Sequence, residues 1–289
     1  MPPATPILAA DTCEAGFRQI ALSCAQSIDA ALVLFRETDD PAGPHKARVA
    51  LRRLTTALDA FEPILRREAA ADLRDMAKTI FRELGKLRDS DVHLATATRD
   101  TTAKDRLARN QKLRHKARSR LAKPRIAGFA QALRLAVAVD GPVFRRSGVA
   151  QARRNGPLAG FAGEILSASW QACRAYGPSV RAIPDTKRHE FRKDMKTMRY
   201  LAEFFAAAFP RLQDDSFHDD FRDIQDALGD LNDFFVALAL ERRKLPAELP
   251  PPADAALARA DAIWARLYAS RAPWQDQSPG ADLAASAVR

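Results

Sequence analysis

Shifted by 144 residues, the chain aligns with itself without a gap, and no other feature limits its possible folds so strongly. Ala15-Gly16-Phe17 falls on Ala159-Gly160-Phe161, and His45-x-x-Arg48 falls on His189-x-x-Arg192. Leu84-Gly85-x-Leu87-x-Asp89 falls on Leu228-Gly229-x-Leu231-x-Asp233, with Phe61 on Phe205 and Arg67 on Arg211. Between 45–94 and 189–238, 12 of 50 positions are identical, where unrelated segments of this composition would share about 3 or 4. Several mismatches keep the chemistry: Arg52 meets Lys196, Asp59 meets Glu203, and Lys78 meets Arg222. Solenoid repeats run to about 45 residues, so a period of 144 predicts a duplicated helical bundle.

Both halves carry helical periodicity, with apolar residues at steps of three and four such as Phe17, Ile20 and Ala21, then Leu54, Leu58, Phe61 and Leu65. The pattern predicts helices over 11–37, 45–68 and 70–84, the last closed by Gly85 as a left-handed C-cap. A restart near Asp89 runs to about 99, followed by helices over 103–122 and 124–138 and a linker over 140–157. The second half predicts 158–176, 185–209, 214–228, 231–244 and 253–270, with a proline-rich loop over 245–252. No strand alternation is visible, and the fold class read from the residues is all-α. The expected layout is one domain over 1–270, built of repeats 11–140 and 157–270, with a flexible tail over 271–289.

The chain has 289 residues and carries 46 Lys+Arg against 36 Asp+Glu, a net charge of +10. That balance points to a polyanionic partner, whether nucleic acid, anionic membrane surface or phosphate polymer, and selects none of them. Cys13, Cys24 and Cys173 are too few and scattered for a disulfide framework or a zinc knuckle. The N-terminus lacks a basic segment followed by an apolar run, and no stretch approaches the roughly 18 apolar residues of a membrane span. A soluble, cytoplasmic protein is the expectation.

The charge is patterned. His45, Arg48 and Arg52, and then His189, Arg192, Lys196 and Arg199, step by three and four and so share a helix face. From His189 to Arg199 such a ladder spans about 15 Å. Like charges this close repel unless an anion or buried carboxylates compensate them, and arginine forks match phosphate oxygens. Recurrence at the same offset argues against a merely solvated face. The helix from Lys104 to Arg125 holds ten basic residues and one acid, spread around its circumference, and reads equally as an extension of the anion site or as a solvated face.

His45 and His189 open the two ladders, as phosphate donors or structural residues in preference to metal ligands, while His93, His115 and His218 have no counterpart in the repeat. Asp89 and Asp233 are placed to cap the helices after the glycines, or to hold cations from behind. The eight aspartates between Asp214 and Asp233 read as a solvated acidic face, with divalent cation binding the lesser alternative.

With these residues in view, the sequence resembles the CHAD family, histidine-containing α-helical domains found alone or fused to CYTH triphosphatase domains. The matching blocks are His45-Lys46-Ala47-Arg48 through Leu54, Leu84 through Val92, His189 through Arg199-Tyr200, and Gln225 through Asp233. The resemblance implies two four-helix bundles related by a pseudo-two-fold axis, with a basic central cavity that binds inorganic polyphosphate and has no catalytic activity; no metal or cofactor is expected, since the repeats offer His with Asp only at long sequence distance. It implies one half-site of His45, Arg48, Arg52, Arg53, Lys78 and Arg88. The other comprises His189, Arg192, Lys193, Lys196, Arg199 and Arg222, with Asp89 and Asp233 in support. Asn232 stands opposite Arg88, so the halves need not contribute equally. The expected function is non-catalytic polyphosphate binding, at polyphosphate granules. A nucleic-acid-binding protein and a metal-dependent phosphohydrolase are the alternatives, the first weakened by few aromatics beside the cations.

Overall fold

The structure, a computed structural model, describes residues 8–96, 103–213, 215–240 and 248–275. Two compact units divide it, Thr12–Gly156 and the chain from Pro157 onward. Residues 8–11 belong with the second unit, because Leu158 N donates to Asp11 O at 2.7 Å and Ala159 N to Ala9 O at 3.2 Å.

In the first unit α1 (Cys13–Glu37), α2 (Ala42–Ala60), α3 (Arg67–Thr96) and α4 (Ala103–Leu121) pack each against the next. The Thr12 hydroxyl caps α1 by accepting from Ala15 N–H at 3.1 Å. Helix α2 stops at Ala60, well short of the expected 68: Pro63 has no N–H to continue the ladder, and Glu62–Ile64 tighten into a 3-10 turn. Helix α3 is unbroken through Gly85, so that glycine is no C-cap. Buried Leu73, Ala77, Ile80, Leu84, Leu87 and Asp91 step by four and three across it, and one packed stripe carries the helix through.

The predicted helix 124–138 is split at Gly128 into α5 (Pro124–Ala127) and α6 (Phe129–Ala136). The predicted linker holds α7 (Gly148–Asn155), pinned by buried Arg154, which reaches Glu14 and Asp140 at 2.8 Å each. Asp140 itself takes a positive φ of 51°. An isolated antiparallel bridge joins Leu65 to Phe144, and none of the described residues forms an extended strand. Phe17 packs on Phe61 (5.3 Å between centroids) and Phe144 (6.0 Å), all fully buried.

The second unit holds α8 (Leu158–Arg174), α9 (Asp185–Phe205), α10 (Asp215–Leu240) and α11 (Pro251–Ala269). Helix α10 also runs straight through its glycine, Gly229, rather than breaking near 228. Asp89 and Asp233 therefore sit inside helices and cap neither. Trp170, fully buried, stacks edge-on against Trp264 (5.6 Å) and Trp274 (6.1 Å). Trp274 and Ala272 are buried, although the sequence assigns them to a flexible tail; residues 276–289 of that tail lie outside the described residues. No described helix is long and apolar enough to cross a membrane. The three cysteines are free thiols, all buried.

Candidate functional site

Helical spacing puts His45, Arg48 and Arg52 on one stripe of α2, and Lys78, Phe81, Gly85, Arg88 and Asp89 on one stripe of α3. Arg48 joins the two. Its Nη1 donates to the Phe81 carbonyl oxygen at 3.0 Å, and its guanidinium lies 3.9 Å from the centre of the Phe81 ring. The Arg52 guanidinium lies over the same ring at 5.3 Å. The Phe81 carbonyl already faces the Gly85 N–H four residues on, as in any α-helix. Arg48 can approach it because residue 85 lacks a side chain: a Cβ there would sit 2.7 Å from Nη1.

Burial, the largest influence, draws the half-buried Arg48 below the ordinary arginine range. Asp89 opposes that shift, and the nearby positive charges of Arg52 and Arg88 add to it. Arg48 thus lies within electrostatic reach of one carboxylate and two further guanidiniums. Among the described residues Arg52, Lys78 and Arg88 form no ion pair with a carboxylate. Arg53 departs from this group: it faces α1, close enough to Cys24 to influence that thiol.

In the second unit Gly229 again lies beside an arginine of the preceding helix, with a Cβ there 3.7 Å from Arg192 Nη2. Gln225, buried, takes the place that Phe81 holds in the repeat, and its Nε2 has no hydrogen-bond partner. His189 Nδ1 lies 3.3 Å from Asn232 Oδ1, in the position of Arg88. The remaining cations are more heavily neutralised: Lys193 pairs with Glu190 (2.7 Å), Arg199 with Glu203 (2.8 Å), and Arg222 with Asp219 (2.6 Å). Lys196 is half-buried on α9. The stripe in the first unit therefore presents the larger uncompensated positive charge, and His45 is exposed at its head.

Helix α4 divides its basic residues between two tasks. Arg114, buried, forms an ion pair with buried Asp91 at 2.9 Å, and Asn110 Nδ2 donates to the same carboxylate oxygen at 2.8 Å. Arg118 reaches Phe35 O and Asp39 Oδ1, and Arg120 reaches Glu83. Lys104, Arg109, Lys112, His115 and Lys116 stay exposed. Sequence reasoning did not single out Asp91 and Asn110 as the polar anchor of this helix, nor Phe81 as the platform under the arginines. The Phe81–Gln225 mismatch removed the one signal, recurrence, that could have found Phe81.

Asp214, which opens the acidic run, lies outside the described residues, as do the side chains of His93 and His218. Among the described residues no group of three or more His, Cys, Asp or Glu is placed to hold a metal ion.

Helices throughout, with arginines seated against glycines of the next helix, define an all-α protein built around rows of cations. Residues 19–242 match the sequence model of the CHAD domain. The chain is also similar to the crystal structure of the CHAD domain from the plant Ricinus communis, with a TM-score of 0.72 and 25% identity over 94% of this chain and 96% of that one. No curated protein matches the sequence. The chain belongs to the CHAD domain family.

Proposed function

We propose that this protein binds inorganic polyphosphate along its arginine stripes without turning it over, and that it does so at polyphosphate granules. The observation that carries this reading is Arg48 seated on the Phe81 carbonyl and ring with the Arg52 guanidinium over the same ring, so that two cations converge on one spot of the α2/α3 stripe. Such a cluster carries excess positive charge that a run of phosphates would neutralise. The stripe is linear, as a phosphate chain is, and its arginines present forks suited to phosphate oxygens. Arg48 is held by the Phe81 carbonyl and ring before any ligand arrives, which lowers the entropic cost of binding. Duplication, as the 144-residue offset implies, supplies a second and weaker stripe on α9 and α10. Membership of the CHAD family supports the reading.

Titration with long-chain polyphosphate should give tight binding that weakens steeply with salt. Arg48→Glu combined with Arg192→Glu should abolish this tight, salt-sensitive mode, and unchanged affinity would sink the proposal. DNA or RNA displacing polyphosphate at equal phosphate concentration would instead favour a nucleic-acid partner. Phosphate release with added magnesium or manganese would mark a hydrolase. In cells, a fluorescent fusion should follow polyphosphate staining.

A further inference from the structure

The first unit contains a second concentration of arginines. Arg67 opens α3, and Phe81 lies 14 residues further on, about 21 Å along the helix axis. At the head of that helix residues 64–66 are clamped to residues 143–145: Arg66 N donates to Val143 O at 2.7 Å and Arg145 N to Ile64 O at 2.9 Å. Beside this clamp is a cavity of about 570 Å³ lined by Arg66, Pro142, Phe144, Arg145, Arg146 and Ser147.

The acids nearby are already engaged. Glu62 accepts from Arg145 at 2.8 Å, and the Asp140 carboxylate from Arg154 at 2.8 Å. Arg145 is further tied to Leu65 O. Arg66 and Arg146, by contrast, meet only the carbonyls of Pro142 and Asp140, each at 3.3 Å, and among the described residues neither meets a carboxylate. Ser147 stands at the N-cap of α7, yet its side chain makes no capping bond, so the first N–H groups of that helix are not covered by it. Guanidinium forks, uncovered helix N–H groups and a concave site are the components of an oxyanion site.

We propose that this cavity binds the linked phosphates of a di- or triphosphate group, with Arg66 and Arg146 as the recognising residues. The volume falls in the ordinary range for small ligands, about 300–1,000 Å³, and exceeds what one phosphate fills. Pro142 and Phe144 add apolar surface to the lining. The site stands apart from the polyphosphate reading of the α2/α3 stripe and would survive its failure. The same chemistry could come from a short inorganic phosphate chain or from a nucleoside triphosphate.

Calorimetric titration of the full chain with tripolyphosphate and with ATP tests the idea. Arg66→Ala with Arg146→Ala should weaken binding at least tenfold, or remove one site from the stoichiometry, at an unchanged melting temperature. Arg145 is left in place because it holds the clamp. The Arg66→Lys/Arg146→Lys variant should recover part of the loss, since charge returns without the fork. Binding of tripolyphosphate alone assigns the site to inorganic chains, and equal or tighter ATP binding assigns it to nucleotides. The proposal falls if the parent binds neither ligand, or if the alanine variant matches the parent for both. It also falls if Arg48→Glu with Arg192→Glu alone removes all tripolyphosphate binding, a result that would leave the stripe proposal standing.

Discussion

The Arg48 guanidinium occupies the space that a side chain on Gly85 would take, with Nη1 2.7 Å from where that Cβ would be. A mid-helix glycine is ordinarily a weakness, roughly 0.5–1 kcal/mol less favourable than alanine. In α3 it gives an arginine of the neighbouring helix access to a main-chain carbonyl.

Gly85→Ala should therefore separate stability from binding. The helix gains propensity, but Nη1 must leave the Phe81 carbonyl, and a charge-assisted hydrogen bond of about 1.5–3 kcal/mol is weakened. Polyphosphate affinity should fall several-fold while the urea midpoint changes little. Gly229→Ala is the control: its Cβ would meet Arg192 Nη2 at 3.7 Å, an ordinary contact. It should bind as the parent does and unfold at slightly higher urea. Equal binding by the two variants would show that the Arg48 position is irrelevant to the ligand.

Asp91→Ala should destabilise the first unit by about 3–5 kcal/mol, because it leaves the buried Arg114 charge with only the exposed carboxylate of Asp39, 3.7 Å away. Asp91→Leu with Arg114→Met should restore much of that loss, since no buried charge then remains. Urea unfolding of Asp91→Leu, Arg114→Met and the double variant measures the coupling directly.

Thiol chemistry offers a pH test. Burial pushes Cys24 from 9.0 up to about 12, against a smaller lowering by Arg53; burial, with the charge of Asp194, raises Cys173 as well. Thiol reagents at pH 8 should leave both unmodified in the folded protein and react with all three cysteines in urea. Above pH 9 the unfolded chain releases these protons while the folded chain keeps them, so stability falls as pH rises. The contribution is fully present below about pH 9 and is lost between there and pH 12. Cys24→Ala with Cys173→Ala should flatten that decline.

Trp274→Ala should lower stability by about 3–5 kcal/mol, as expected for emptying a buried aromatic site. The ring is 4% exposed, packs on Trp170, and donates from Nε1 to Ser167 Oγ at 3.0 Å. An unchanged thermal melt would place Trp274 in a flexible tail after all.

The all-helical character and the cation stripes were legible because helical periodicity and charge spacing are local properties. The role of the glycines was not. Read locally, Gly85 and Gly229 resemble helix ends, and Asp89 and Asp233 resemble the caps that follow. The apolar steps from Leu73 to Leu87 cross Gly85 in register, a signal that glycine's reputation as a breaker obscured. Helix α7 and the burial of Trp274 were hidden for a different reason: both depend on distant partners, Glu14 for Arg154 and Trp170 for Trp274.

By itself the sequence determined the fold class, the 144-residue offset, and the placing of His45, Arg48 and Arg52 on one helix face and His189, Arg192 and Lys196 on another. Periodicity needs only neighbours three and four residues away. The tertiary structure decided what those cations meet: Arg48 a carbonyl and a ring, Arg53 the far side beside Cys24, Arg114 a buried aspartate, Arg222 an acid on its own helix. Whether an arginine is neutralised or left to face a ligand depends on charges brought close by packing, and Coulomb energy follows distance in space, not separation along the chain.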